Sequence, residues 1–291
     1  MGHVDDAMKK HLAEQAKKAP AATPAGASAD GAAEPSAPAQ VTTAAQGATD
    51  AGPPAPADAA RTPARSIDGT GFDPALVAYH DRGSLITEEY RALRTNLLAR
   101  FPEKRFCVMI TSAEMGEGKT VTCINLGMVL AEFQEGRTVI VDCDLRKGQV
   151  ARLLNAGKAP GIGDLLHGDA ALRDVIRKTL YPNLDVIAAG SVHGENVGEM
   201  LGRPELAETL SHLRRDYDHV LIDTAPVNTL ADAGLIAQAA QDALLVVRLN
   251  RTSRDSVKKA VRLLHAVNAR LVGMVLTHQE YYIPRYLYRY S

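Results

Sequence analysis

The stretch TSAEMGEGKT, residues 111–120, sets two glycines, a lysine and a threonine at a spacing suited to holding phosphate. Its last eight residues, Ala113, Glu114, Met115, Gly116, Glu117, Gly118, Lys119 and Thr120, fit the P-loop pattern small-x-x-x-x-Gly-Lys-Thr. Gly116 and Gly118 let the backbone turn its N–H groups toward one point. A helix starting near Lys119 adds free amides and a positive dipole end. The Lys119 ammonium then suits the β- and γ-phosphates of a nucleotide, and the Thr120 hydroxyl suits Mg²⁺. Two more segments carry carboxylates. TVIVDCDLR ends in Asp142 and Asp144, two residues apart and so on one face of a strand. Beside a phosphate loop, one of them can hold metal and the other can accept a proton from an attacking hydroxyl; alone, Asp-x-Asp also suits a solvated loop. HVLIDTAP closes on Asp223, which suits Mg²⁺ or the capping of the next helix.

These residues need elements to position them. Short apolar runs occur at Phe106–Ile110, Thr138–Val141, Leu184–Ile187, His219–Ile222, Ala243–Val247 and Leu271–Leu276. Each has the length and Val/Ile/Leu content of a strand buried on both faces. Helical periods fall between them, at Thr120–Phe133, Glu205–Tyr217 and Ser253–Ala269. Alternation of strand and helix predicts an α/β fold with a mostly parallel central sheet flanked by helices. In such sheets ligands gather beyond the carboxyl ends of the strands, where all three motifs fall.

The bulk composition excludes several classes. The formal net charge of −1 gives no basic excess, and no nucleic-acid partner is expected. No apolar run reaches the roughly 18 residues of a membrane span, and the start lacks the apolar core of a signal peptide. Cys107, Cys123 and Cys143 have no metal-ligand spacing and fit reduced thiols in a cytosol. From Ala19 to Arg65 the chain is rich in Ala, Pro, Gly and Ser, with almost no large apolar side chain. Such a segment cannot offset its ordering entropy, so residues 1–82 read as a disordered tether and 83–280 as the globular domain.

Residues 281–291 form a third part. Five of the nine tyrosines stand there: Tyr281, Tyr282, Tyr286, Tyr288 and Tyr290. Pro284 argues against a packed strand. A segment just past the last core strand is mobile, and its hydroxyls can reach another chain's γ-phosphate. Each added phosphate brings roughly −1.5 to −2 charges, enough to weaken docking of the tail. A stacking platform for sugars or nucleic acid is the competing use.

Taken together, SAEMGEGKT, VIVDCDLR and VLIDTAP resemble the Walker A, Walker A′ and Walker B motifs of the bacterial tyrosine kinases of capsule and exopolysaccharide assembly, a branch of P-loop proteins related to the MinD/ParA ATPases. The resemblance runs from about Gly83 to the C-terminus. It includes LITEEYRALRTNL, where Glu88, Arg91 and Arg94 match the family's Glu-x-x-Arg-x-x-Arg helix, implying ring-like self-association. An exposed helix with internal ion pairs is the alternative for that segment. The tyrosine cluster resembles the family's phosphoacceptor tail, modified in trans. The resemblance implies a cytoplasmic autokinase that uses ATP and Mg²⁺. It also implies recruitment to the inner face of the membrane by a membrane-bound activator or polysaccharide co-polymerase, and a tyrosine phosphatase that reverses the modification. By the same resemblance Thr120, Asp142 and Asp223 organise Mg²⁺, Asp144 orients or deprotonates the tyrosine, and Arg146 contacts a phosphate or a neighbouring subunit. Glu114 stands where MinD and ParA relatives carry a signature lysine. A MinD/ParA-like ATPase switch and a nucleotide-binding, non-catalytic assembly protein are the rival readings. Thr224-Ala225-Pro226 lacks the second proline common in the kinases. Thr277 and His278 replace the Asn often found near the base, which leaves base selectivity open.

Overall fold

The structure is a computed structural model that describes residues 66–133, 136–157, 160–229 and 231–279. The tyrosine cluster and the whole Ala/Pro-rich segment from Ala19 to Arg65 lie outside the described residues. The described strands are β1 (Phe106–Ser112), β2 (Thr138–Asp142), β3 (Ile176–Lys178), β4 (Leu184–Ile187), β5 (His219–Asp223), β6 (Asp242–Arg248) and β7 (Arg270–Thr277). They form one sheet in the order β3-β4-β2-β5-β1-β6-β7. Every pairing is parallel except that of β3 with β4.

β1, β2 and β5 are buried at every residue, as their unbroken apolar runs require. Alternate residues serve opposite faces. Val220 and Ile222 of β5 join a core with Leu206, Leu210 and Leu213 of the helix Pro204–Asp216. Leu221 joins the opposite core, with Leu97 of the helix Leu85–Arg100 and Ile124 of the helix Lys119–Leu130. The helix Lys119–Leu130 is buried nearly all round because it lies between the sheet and the helix Leu85–Arg100. Cys107, Cys123 and Cys143 are buried free thiols, and burial pushes each above its ordinary pKa; they pack and do not react.

The folded body begins before Gly83, which corrects the boundary expected at residue 82. Ile67 bridges Thr179, and Ile67, Phe72, Leu76 and Ala78 are buried in the core. The Asn125 side chain accepts the Ala78 N–H at 2.9 Å and donates to the Ala75 carbonyl at 3.1 Å. A few anchors spread among polar residues and glycines carry no period, so they read as tether. β3 escaped notice for a related reason: it has three residues, two of them cationic. The last long helix is Arg254–Ala266, shorter than expected. Ser253 caps its start through the Ser256 N–H, and Asn268 turns left-handed (φ +58°) just past its end.

Candidate nucleotide and phosphoryl-transfer site

Strand order brings the three motifs together. β2, β5 and β1 are consecutive in the sheet, and Asp142 is the register partner of Asp223 at their carboxyl ends. The phosphate loop leaves the end of β1. Gly116 (φ +78°) and Gly118 (φ +90°) take the left-handed conformation that the turn demands. The helix then starts at Lys119.

Four side chains converge there. The Lys119 ammonium donates to Asp144 Oδ2 at 2.9 Å and to the Thr120 hydroxyl at 3.3 Å, and stands 3.7 Å from Asp223 Oδ1. The Thr120 hydroxyl donates to Asp223 Oδ2 at 2.7 Å. Asp142, fully buried, accepts the main-chain N–H groups of Asp144 (3.2 Å) and Val150 (3.0 Å), which fixes the turn that carries Asp144. Burial and the neighbouring Asp223 charge push the Asp142 carboxyl well above the usual range. Burial likewise pushes Asp223 up to about 6, against the opposing pull of Lys119 and Thr120. Burial disfavours the charged form of Lys119, but Asp223 and Asp144 outweigh it and hold the ammonium above its ordinary pKa. Asp223 Oδ1 is buried and receives no hydrogen bond. A buried carboxylate oxygen without a donor, next to a hydroxyl and a second carboxylate, is a donor set that fits Mg²⁺.

The loop is braced from the other side by a residue whose role its sequence position did not reveal. Glu117 is only 1% exposed. One carboxylate oxygen accepts the Glu114 N–H at 2.8 Å; the other accepts the Thr252 hydroxyl and the Arg248 N–H. Thr277 donates to the Glu117 carbonyl at 2.8 Å. Glu114 accepts from the Ser256 hydroxyl, and Met115 is exposed. Thr277, considered in sequence only for base recognition, thus ties the end of β7 to the phosphate loop.

The arginines expected at a phosphate or a neighbouring subunit have partners within the chain. Arg146 forms a paired contact with Asp232, Nε to Oδ2 at 2.7 Å and Nη2 to Oδ1 at 3.3 Å, so in this state its guanidinium is committed to the helix Asp232–Ala240. Arg91 and Arg94, expected at a contact with a neighbouring subunit, have a partner within the chain. Both converge on Glu132 of the same chain: Arg91 through Nε (2.8 Å) and Nη2 (2.5 Å), Arg94 through Nη1 (3.2 Å). Arg94 is buried, donates to the Val129 carbonyl at 2.6 Å and lies over the Phe133 ring; Glu88 pairs with Arg91 at 2.6 Å. Three-residue spacing stacks the two arginines on the helix face that meets the end of the neighbouring helix. Glu132→Ala leaves the buried Arg94 without its carboxylate, and is expected to cost about 2 kcal/mol in denaturant unfolding.

Residues 107–274 match the family model described as an AAA domain. A putative tyrosine-protein kinase, EpsB, of Ralstonia nicotianae is 33% identical over 202 residues, 69% of this chain. The match covers 27% of that protein, so the chain spans about a quarter of its length. The tyrosine-protein kinase CpsD of Streptococcus agalactiae is 32% identical over 193 residues, 65% of this chain and 82% of that one. The chain belongs to the bacterial tyrosine kinases of capsule and exopolysaccharide synthesis. The architecture agrees: the kinase domain of the Escherichia coli tyrosine kinase ETK superposes with a TM-score of 0.66 at 27% identity, covering 72% of this chain and 82% of that domain. In this bacterial tyrosine kinase domain the Walker A, A′ and B segments are the ends of β1, β2 and β5. No described helix is long and apolar enough to cross a membrane.

Proposed function

We propose that the chain is an ATP-dependent protein-tyrosine autokinase that phosphorylates its C-terminal tyrosine cluster in trans. The observation that carries this reading is the convergence of Lys119, Thr120, Asp144 and Asp223 at three adjacent strand ends. The loop amides and Lys119 hold the β- and γ-phosphates of ATP. Thr120 and Asp223, with Asp142 behind them, hold Mg²⁺, which when bound neutralises phosphate charge. Lys119 is the pivot. It pairs with Asp144; as it moves to phosphate oxygens, it releases Asp144. The free carboxylate takes the proton of an incoming tyrosine hydroxyl, the phenolic oxygen attacks the γ-phosphorus, and the bond to the β-phosphate oxygen breaks to leave ADP. Arg146 exchanges Asp232 for a phosphate or a neighbouring subunit when the site fills.

The acceptors are Tyr281, Tyr282, Tyr286, Tyr288 and Tyr290 of another copy. Self-association uses the exposed Glu88 together with the surface around the Arg91–Glu132 contact. A membrane-bound activator recruits the kinase to the inner face of the membrane, a tyrosine phosphatase resets it, and the cycle regulates polymer export. A mixing experiment tests transfer in trans. Lys119→Met as acceptor, incubated with ATP, Mg²⁺ and a donor chain ending at Glu280, should gain phosphotyrosine. Transfer in the intact chain without transfer in the mixture contradicts the trans reading.

Proton competition gives a second outcome. Burial holds Asp223 near 6. Below that value it carries a proton and offers no charged oxygen, so affinity for ATP with Mg²⁺ is expected to fall as pH drops through about 6. Titration with a fluorescent ATP analogue across this window checks it; flat affinity removes Asp223 from the cation site.

A further inference from the structure

A second cluster lies away from the phosphate loop, between the helix Ile162–His167 and the segment that follows β4. His167, Asp169 and His193 are exposed, and one potential ligand atom from each lies within 4.8 Å of the others. We propose that these three residues bind a divalent transition-metal ion, zinc being the one they suit best. Two imidazoles and a carboxylate match zinc's preference for nitrogen and oxygen donors and leave a fourth position for water or another carboxylate.

The geometry supports a built site. The imidazole rings of His167 and His193 stack with centroids 4.6 Å apart and planes 13° apart, which sets the two side chains next to each other. Nε2 of His167 lies 3.9 Å from Asp169 Oδ2, and Nε2 of His193 lies 3.4 Å from the same oxygen. Nδ1 of His167 contacts Glu195, which Arg203 anchors at 2.6 Å. A carboxylate on Nδ1 fixes the tautomer with its proton there, leaving the Nε2 lone pair aimed at Asp169. Asp164 lies 3.0 Å from His193 Nε2 and is itself held by the Gly161 and Ser191 N–H groups, at 2.7 and 3.1 Å. It is the natural fourth ligand. Three carboxylates thus face two imidazoles, and even with Arg203 on Glu195 the excess negative charge suits a dication.

Tetrahedral zinc with ligands at about 2.1 Å sets donor atoms roughly 3.4 Å apart, so the cluster must close by up to about 1.4 Å, within reach of exposed side-chain rotation. Bound zinc clamps the helix Ile162–His167 to the segment after β4. β4 pairs with β2, whose end carries Asp142, so the clamp bears on the edge of the sheet nearest the Walker A′ segment. The alternative without metal is a set of side-chain contacts alone, and the two differ in whether zinc binds.

Isothermal titration of the untagged full chain with zinc chloride, without nucleotide, tests the site. Saturable one-to-one binding is expected. His167→Ala and His193→Ala should each weaken it at least tenfold. Glu195→Gln, which keeps all three ligands, should weaken it by about tenfold through the His167 tautomer. Asp223→Asn should leave it unchanged, which separates this site from the nucleotide site. Failure to saturate, binding unaffected by both histidine substitutions, or loss of binding in Asp223→Asn each overturns the proposal.

Discussion

Asp144→Asn is expected to slow tyrosine phosphorylation by about a thousandfold, within the range for removing a general base, while ATP binding stays intact or tightens. The direction on binding follows from the contact between Lys119 and Asp144. Asp144 holds Lys119 at 2.9 Å, and the nucleotide must break that contact to recruit the lysine. The amide oxygen can still accept from the ammonium but brings no opposing charge, so Lys119 is released more easily. A fall in turnover together with equal or higher affinity is the signature of a residue that competes for Lys119 at rest and accepts a proton in the reaction. If Asp144→Asn lost affinity and kept its rate, Asp144 would be a nucleotide ligand and the base would lie elsewhere. Single-turnover phosphotyrosine formation and equilibrium binding on the same protein separate the two.

Lys119→Met is the second large effect, expected to reduce transfer by about 10³-fold or more, because it deletes the charge that meets the transferring phosphate. The structure adds a stability consequence. Lys119 is the cation facing Asp144 and Asp223, both buried. Removing it leaves those carboxylates unmatched, a loss of about 3 kcal/mol for the nucleotide-free chain near neutral pH. The pH dependence has a definite sign. Asp223 is already raised above its unfolded value, to about 6, and loses its main opposing charge in the variant. A carboxyl raised on folding binds a proton more readily in the folded state, so the deficit stands above the folded pKa and shrinks as pH falls through it. Denaturant unfolding of both proteins at about pH 7.5 and about pH 5.5 should show the gap narrowing on acidification. A gap independent of pH would mean that packing of the lysine stem, not its charge, is what the variant lost.

Much of the site was legible because its parts are local. The phosphate loop is contiguous, and Asp142 and Asp223 each close an apolar run whose burial fixes where the strand ends. Six of the seven described strands follow from those runs; β3 does not, because three residues with two cations carry no apolar signal. What sequence could not show are the long-range choices among charges. Lys119 pairs with Asp144 25 residues on, and Arg146 with Asp232 86 residues on; no spacing rule selects those partners. Arg91 and Arg94 had the helical spacing for an exposed face, yet Glu132, 41 residues from Arg91, captures both. Glu117 occupies a variable position of the loop pattern, and its bracing role depends on Thr252 and Arg248 across the fold. The cluster of His167, Asp169 and His193 combines residues from two segments that meet because the helix Ile162–His167 packs on the end of β4.

The intact mass of the full chain after incubation with ATP and Mg²⁺ tests the central claim most directly. It should be read beside Lys119→Met and a chain ending at Glu280, with an activator fragment added. Successive phosphate-sized increments in the full chain, absent from both comparison proteins, are the predicted result. ATP consumed with no increment on the full chain would contradict the account and make the protein a nucleotide switch rather than a kinase.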